Sequence, residues 1–298
     1  MYSEKLEEVI SAALADGNLT DQKRNIIMRR AEKEGEDVEE VMMIVESRLL
    51  SQGKVQPKQT ASQSEAEEKT DNDGGFVETV NGVSFKMVKV EGGKFPMFSK
   101  SQDASMPAKP QEVVLDDYYI CETVVTQELW KAVMGINFPL LDFIGDKLPV
   151  NNLTWEESYQ FINKLNAFTN KIYHLPSEAQ WEYAAIGGKK SHGFKYAGSD
   201  YFKEVGWASQ NEMEPVAQLK PNELGLYDMS GNCFEFCEDN MVEEPILNRT
   251  KNPIVRTMPK GFRILRSTPF DSCEVSIGER WWCPYDMRRN GFGFRIAL

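Results

Sequence analysis

The chain has 298 residues, 41% of them hydrophobic, so it can bury a real core, and disorder throughout is excluded. Its formal charge of −12 works against nucleic acid and anionic membrane as partners, since both draw affinity from Lys and Arg at phosphates. No run of eighteen apolar residues occurs, and Met1 to Leu14 lacks the basic start, apolar stretch and cleavage site of a secretory signal, so a cytoplasmic location is expected.

Residues 1–50 predict three short helices. Leu6, Val9, Ile10, Ala13 and Leu14 recur at helical spacing. Asp16-Gly17-Asn18 breaks that helix, and Thr20 caps a second one with the stripe Ile26, Ile27 and Ala31. Asp37 with Glu40 opens the third, which carries Val41, Met42, Ile44, Val45 and Leu49. Helices this short close only a marginal core, so the unit is expected to dock a partner or to self-associate. Residues 51–75 hold almost no apolar side chains and read as a flexible linker.

From Phe76 the texture changes to that of one folded domain, 76–298. Val83 to Val90 alternates as a strand, Glu91-Gly92-Gly93 turns it into Lys94-Phe95, and Val113 to Leu115 and Tyr118 to Ile120 give further strands. Helices are expected over Thr126–Met134, Thr154–Phe168 and Ser177–Ala185, with Thr126 and Ser177 as caps. After Gly187-Gly188 regular runs are few, so buried Trp, hydrogen-bonded Asn and Asp, or bound metal must fix the loops.

Five cysteines without an export signal point to free thiols. Cys233 and Cys237 stand at C-x3-C spacing in a chain with two histidines, too few ligands for structural zinc. Glu178 and Glu182 share a helix face and read as scaffold pairs ahead of an acid–base couple. The stretch 266–290 is the candidate binding surface for a protein or small ligand. Within it Phe270, Asp271, Glu274, Glu279, Trp281, Trp282, Tyr285, Asp286 and Arg288 mix aromatic rings with both signs of charge, as binding hot spots do. Trp281 and Trp282 are adjacent on a strand and point to opposite faces, so at least one is expected at the surface.

Ordered landmarks carry a resemblance. They are Val90-Glu91-Gly92-Gly93-Lys94-Phe95, Glu122 to Gln127 with Trp130 and Met134-Gly135, and Leu148-Pro149-Val150 through Trp155. Leu175 to Ala185, Pro221 to Asn232 and the closing Gly293-Phe294-Arg295 complete the set. Together they resemble the formylglycine-generating-enzyme, or sulfatase-modifying-factor, family. The resemblance implies an α+β, C-type-lectin-like domain, irregular and loop-rich; the small N-terminal helical unit separately resembles modules found at the front of many bacterial proteins.

Oxidase members of that family hold copper between two thiolates, just after an Arg-Gly-Gly-Ser-aromatic strand. Here the stretch is Arg266-Ser267-Thr268-Pro269-Phe270-Asp271-Ser272-Cys273. Both glycines are replaced, Ser272 takes the first thiol's place, and Cys273 alone stands near the second. Copper(I) prefers a thiolate pair. The resemblance therefore implies a non-catalytic binding member for which copper is not expected; the alternative is a copper-dependent oxidase with Cys273 in its site. The family's branch that binds iron through histidines of a helical domain is excluded, because residues 1–50 contain none. A calcium loop of the family falls on Asp228, Gly231, Cys233 through its carbonyl, and Glu235, making calcium the implied metal. The tail is also similar to variable proteins of diversity-generating retroelements, whose diversified segment closes on Gly-Phe-Arg; Arg280 fits their scaffold arginine.

Overall fold

Leu6, Ile10 and Leu14 fall on one side of helix α1 (Glu4–Leu14), and none is more than 3% exposed. Ile27, Ala31, Val41 and Val45 are helical and buried in the same cluster. The computed structural model describes residues 4–14, 74–97, 110–135, 141–242, 250–257 and 260–298, together with Ile27, Arg30, Ala31, Val41 and Val45. The rest of the expected second and third helices, and the linker up to residue 73, lie outside the described residues. The chain divides into two units, Met1–Ala66 and Glu67–Leu298. Among the described residues no helix is long and apolar enough to cross a membrane.

In the second unit β1 (Phe76–Val80) and β2 (Val83–Val90) form a hairpin, closed by Asn81 and Gly82, both at positive φ as a two-residue turn requires. β3 (Lys94–Met97) and β4 (Gln111–Val114) form a second hairpin. β5 (Tyr118–Cys121) returns antiparallel beside β2. Three capped helices follow. Thr126 caps α2 (Gln127–Met134), while Thr154 with Glu157 and Ser177 with Gln180 make capping boxes for α3 (Trp155–Thr169) and α4 (Glu178–Ala185). The last sheet runs β8-β7-β6-β9, from β6 (Phe234–Asn240), β7 (Phe262–Arg266), β8 (Trp281–Pro284) and β9 (Phe292–Gly293). Only β9 is parallel to its neighbour, β6.

Two apolar clusters hold these layers. One joins α2 and α3 to both sheets, with Trp130 stacked on Phe161 at 5.5 Å and Phe294 edge-on to both rings. The other surrounds Trp181, which is fully buried beneath β2, β4 and β7 residues. The architecture is α+β, strand-rich and loop-rich, with long irregular connections between α4 and β6.

Candidate surface and buried ion pairs

Buried charge fixes the loops. Glu178 and Glu182 are one turn apart on α4 and therefore share a face. Arg266, at the end of β7, donates to Glu178 Oε1 at 2.9 Å and to Glu182 Oε2 at 2.7 Å. Arg280 Nε reaches the same Glu178 oxygen at 2.8 Å. Burial works to raise the Glu178 carboxyl, but Arg280 and Arg266 outweigh it and hold it below its ordinary value. These carboxylates are scaffold, as their spacing suggests.

The second system fastens the tail. Glu235 and Arg295 are both fully buried, and Arg295 Nε and Nη2 grip the two carboxylate oxygens at 2.6 and 2.8 Å. Trp181 Nε1 adds a third donor to Glu235 at 2.7 Å. Arg295 also donates to the carbonyls of Cys121 and Tyr227. The closing Gly-Phe-Arg is thus a latch from the C-terminus onto β6.

That latch bears on calcium. A hard dication needs six or more oxygens around it. Both Glu235 oxygens are held by a guanidinium, and the Gly231 carbonyl accepts from Cys233 N at 2.8 Å. Asp228 Oδ2 accepts from Ala217 N at 2.9 Å; its Oδ1 is buried without a partner, and burial pushes the carboxyl up to about 6. Among the described residues no group of three or more His, Cys, Asp or Glu is arranged to hold a metal ion. Of the set Asp228, Gly231, Cys233 and Glu235, Glu235 is committed to Arg295, whereas Asp228 keeps one buried oxygen without a partner.

Of the five thiols, Cys273 alone is exposed. Burial raises Cys121 to about 11 and Cys283 to about 12, and lifts Cys233 and Cys237 well above the ordinary thiol value. All four are buried, and burial disfavours the thiolate form. The altered strand end keeps a glycine-like backbone. Ser267 sits at φ 67°, where its hydroxyl accepts from Gly231 N at 2.8 Å. Gly231 itself has φ 114°, and a Cβ there would lie 2.4 Å from the Trp207 carbonyl.

The proposed ligand-binding residues separate into inner and outer sets. Phe270 is a correction: it is 4% exposed, packs with Val124, Met213, Val216 and Cys233, and meets Phe143 edge-on at 5.4 Å. Its ring faces inward as a floor. Trp281 is half-buried, packs against the main core and lies 5.7 Å from the Phe234 ring. Trp282 pairs across from Ile264 on the opposite face of β8 and is half-buried, as are Glu279 and Tyr285. Asp271, Glu274, Asp286 and Arg288 are exposed. Arg289 pairs with Asp271 at 3.4 Å and Arg288 with Glu157 at 2.6 Å.

Sequence reading missed three neighbours. Phe262 is 51% exposed and pairs across from Pro284, next to Trp282 on the same sheet face. Loop 141–146 joins through Phe143 and through Asn290 Nδ2 donating to Asp142 at 2.9 Å. Ser209 and Gln210 bond the carbonyls of Ser272 and Phe270. These segments are remote in sequence, so only the fold brings them together.

Residues 78–298 match the sulfatase-modifying factor enzyme 1-like domain family. A relative, Chaperone protein LppX of Paenibacillus barcinonensis, is 33% identical over 208 residues, covering 52% of this chain and 71% of its own length. The formylglycine-generating enzyme of Thermomonospora curvata is 25% identical over 174 residues, 53% of this chain and 51% of that enzyme, so the chain spans about half of it. Among solved structures, Treponema denticola variable protein 1 superposes with a TM-score of 0.62 at 28% identity, over 75% of this chain and 98% of that one.

Proposed function

The chain belongs to the sulfatase-modifying factor enzyme 1-like family, and from that premise we propose that it binds a protein or small ligand and does not oxidise one. The observation that carries this is the thiol count. Ser272 stands beside the lone exposed Cys273, and the other four thiols are buried. Copper-driven oxygen chemistry of the family's kind asks for a thiolate pair.

The binding surface is the outward side of 271–290. Arg280 and Arg295 fasten the segment from within, so its outer side chains can vary at little cost to the core. Likeness to Treponema denticola variable protein 1 supports a variable-protein reading, and a relative named as a chaperone suits a protein partner. A neighbouring reverse-transcriptase gene with a near-copy of this 3′ end is the genomic signature that a retroelement-diversified protein requires.

The test is conversion. The protein, loaded with copper(I) and supplied with oxygen, is incubated with a Cys-containing sulfatase peptide and followed by mass spectrometry. No loss of the peptide thiol is expected. Formation of formylglycine, abolished by Cys273→Ala, would replace the binding reading with the copper-dependent oxidase.

A further inference from the structure

A cavity of ≈ 440 Å³ lies between the outer face of the β1–β2 hairpin, the start of α2 and the segment 216–218, and its Val124 and Val216 walls pack behind on Phe270. That volume falls within the range of small-ligand sites. Its apolar lining is Val77, Val124, Leu129 and Val216, the last three of them buried. Its charged lining is two ion pairs, Lys86 with Glu122 at 3.8 Å and Lys147 with Glu128.

Both pairs are partly open to solvent, and the Lys147–Glu128 pair is lopsided. Glu122 and Glu128 side chains are 30% and 23% exposed, against 36% for Lys86 and 66% for Lys147. Glu128 sits deeper than Lys147, while Glu122 and Lys86 are about equally exposed. Exposed pairs of this kind are worth about 0–1 kcal/mol each, so a ligand cation displaces a lysine at small cost while the carboxylate stays.

The wall is preformed. Ala217 is held at φ 60° by Asp228 Oδ2 behind it, and Val216 N donates to the Lys147 carbonyl. The chain's −12 charge favours cations near its surface in general.

We propose that this cavity binds a linear aliphatic diamine. One ammonium replaces Lys147 at Glu128, the other replaces Lys86 at Glu122, and the methylenes lie on the apolar lining.

Calorimetric titration at low salt with 1,5-diaminopentane tests it, with pentylamine as the single-charge control. The diamine is expected to bind at least about tenfold more tightly than the monoamine. Glu122→Gln combined with Glu128→Gln should remove that preference while thermal melts show a folded protein. Lys147→Ala should tighten diamine binding, because it removes the competing cation. Equal binding of diamine and monoamine, or no binding of either, would overturn the proposal. So would weaker binding to Lys147→Ala, and that single exposed-site variant decides the matter if the Gln pair fails to fold.

Discussion

At the scale of single residues, two positions show how this chain stores cost. Asp228 is buried with one oxygen unpartnered and its carboxyl raised to about 6; Asp239, also raised by burial, reaches about 7. Both folded values exceed the unfolded one, so the stability they lend is full below about pH 4 and is lost as pH rises through 6 and 7. Asp228→Asn keeps an acceptor for Ala217 N and removes the buried charge. It should melt higher than the parent at pH 8, by an energy on the order of 2 kcal/mol, and equal it near pH 4. Ser267 gives a second contrast. Ser267→Ala keeps the left-handed strain and orphans the Gly231 N–H, a loss of about 1–3 kcal/mol in urea unfolding. Ser267→Gly also loses the hydroxyl but relieves roughly 1 kcal/mol of strain, so it should be the milder change. The sequence shows that glycine is replaced here, but not that the serine hydroxyl props up the glycine-like turn.

At the scale of elements, what was legible was local. The expected helices of the second unit begin within one residue of those observed, because Thr126, Thr154 and Ser177 each accept from the backbone N–H three residues on. β6 was not legible. All seven of its residues are buried, and Glu235, Glu238 and Asp239 interrupt any apolar alternation. Their partners stand far along the chain: Arg295 for Glu235, Arg256 for Glu238, and the backbone N–H groups of Glu178 and Val255 for Asp239. Phe270 was misread for a related reason, since an aromatic in a charged loop gives no sign of the Phe143 and Met213 floor it completes. The α4 network predicts a large effect. Arg266→Met strips the guanidinium from two buried carboxylates and should cost about 3–5 kcal/mol, read by chemical denaturation. A loss below about 1 kcal/mol would mean that the pairs do not organise this region.

At the scale of the whole molecule, the landmarks gave the family and the α+β architecture, while the buried ion pairs that fix the loops were not legible. Arg266, Arg280 and Arg295 tie the C-terminal third to α4 and β6 through buried carboxylates. A chelator such as EDTA should therefore leave the melting temperature unchanged; a fall reversed by added calcium would show that Asp228 and Glu235 rearrange around a cation. The proposed binding role rests on the division between a buried scaffold and an outward 271–290 face. Its most direct check is a copper(I) competition titration under reducing conditions. No stoichiometric site is expected, and Cys273→Ser should titrate like the parent; one tightly held copper per chain, lost in Cys273→Ser, would contradict it.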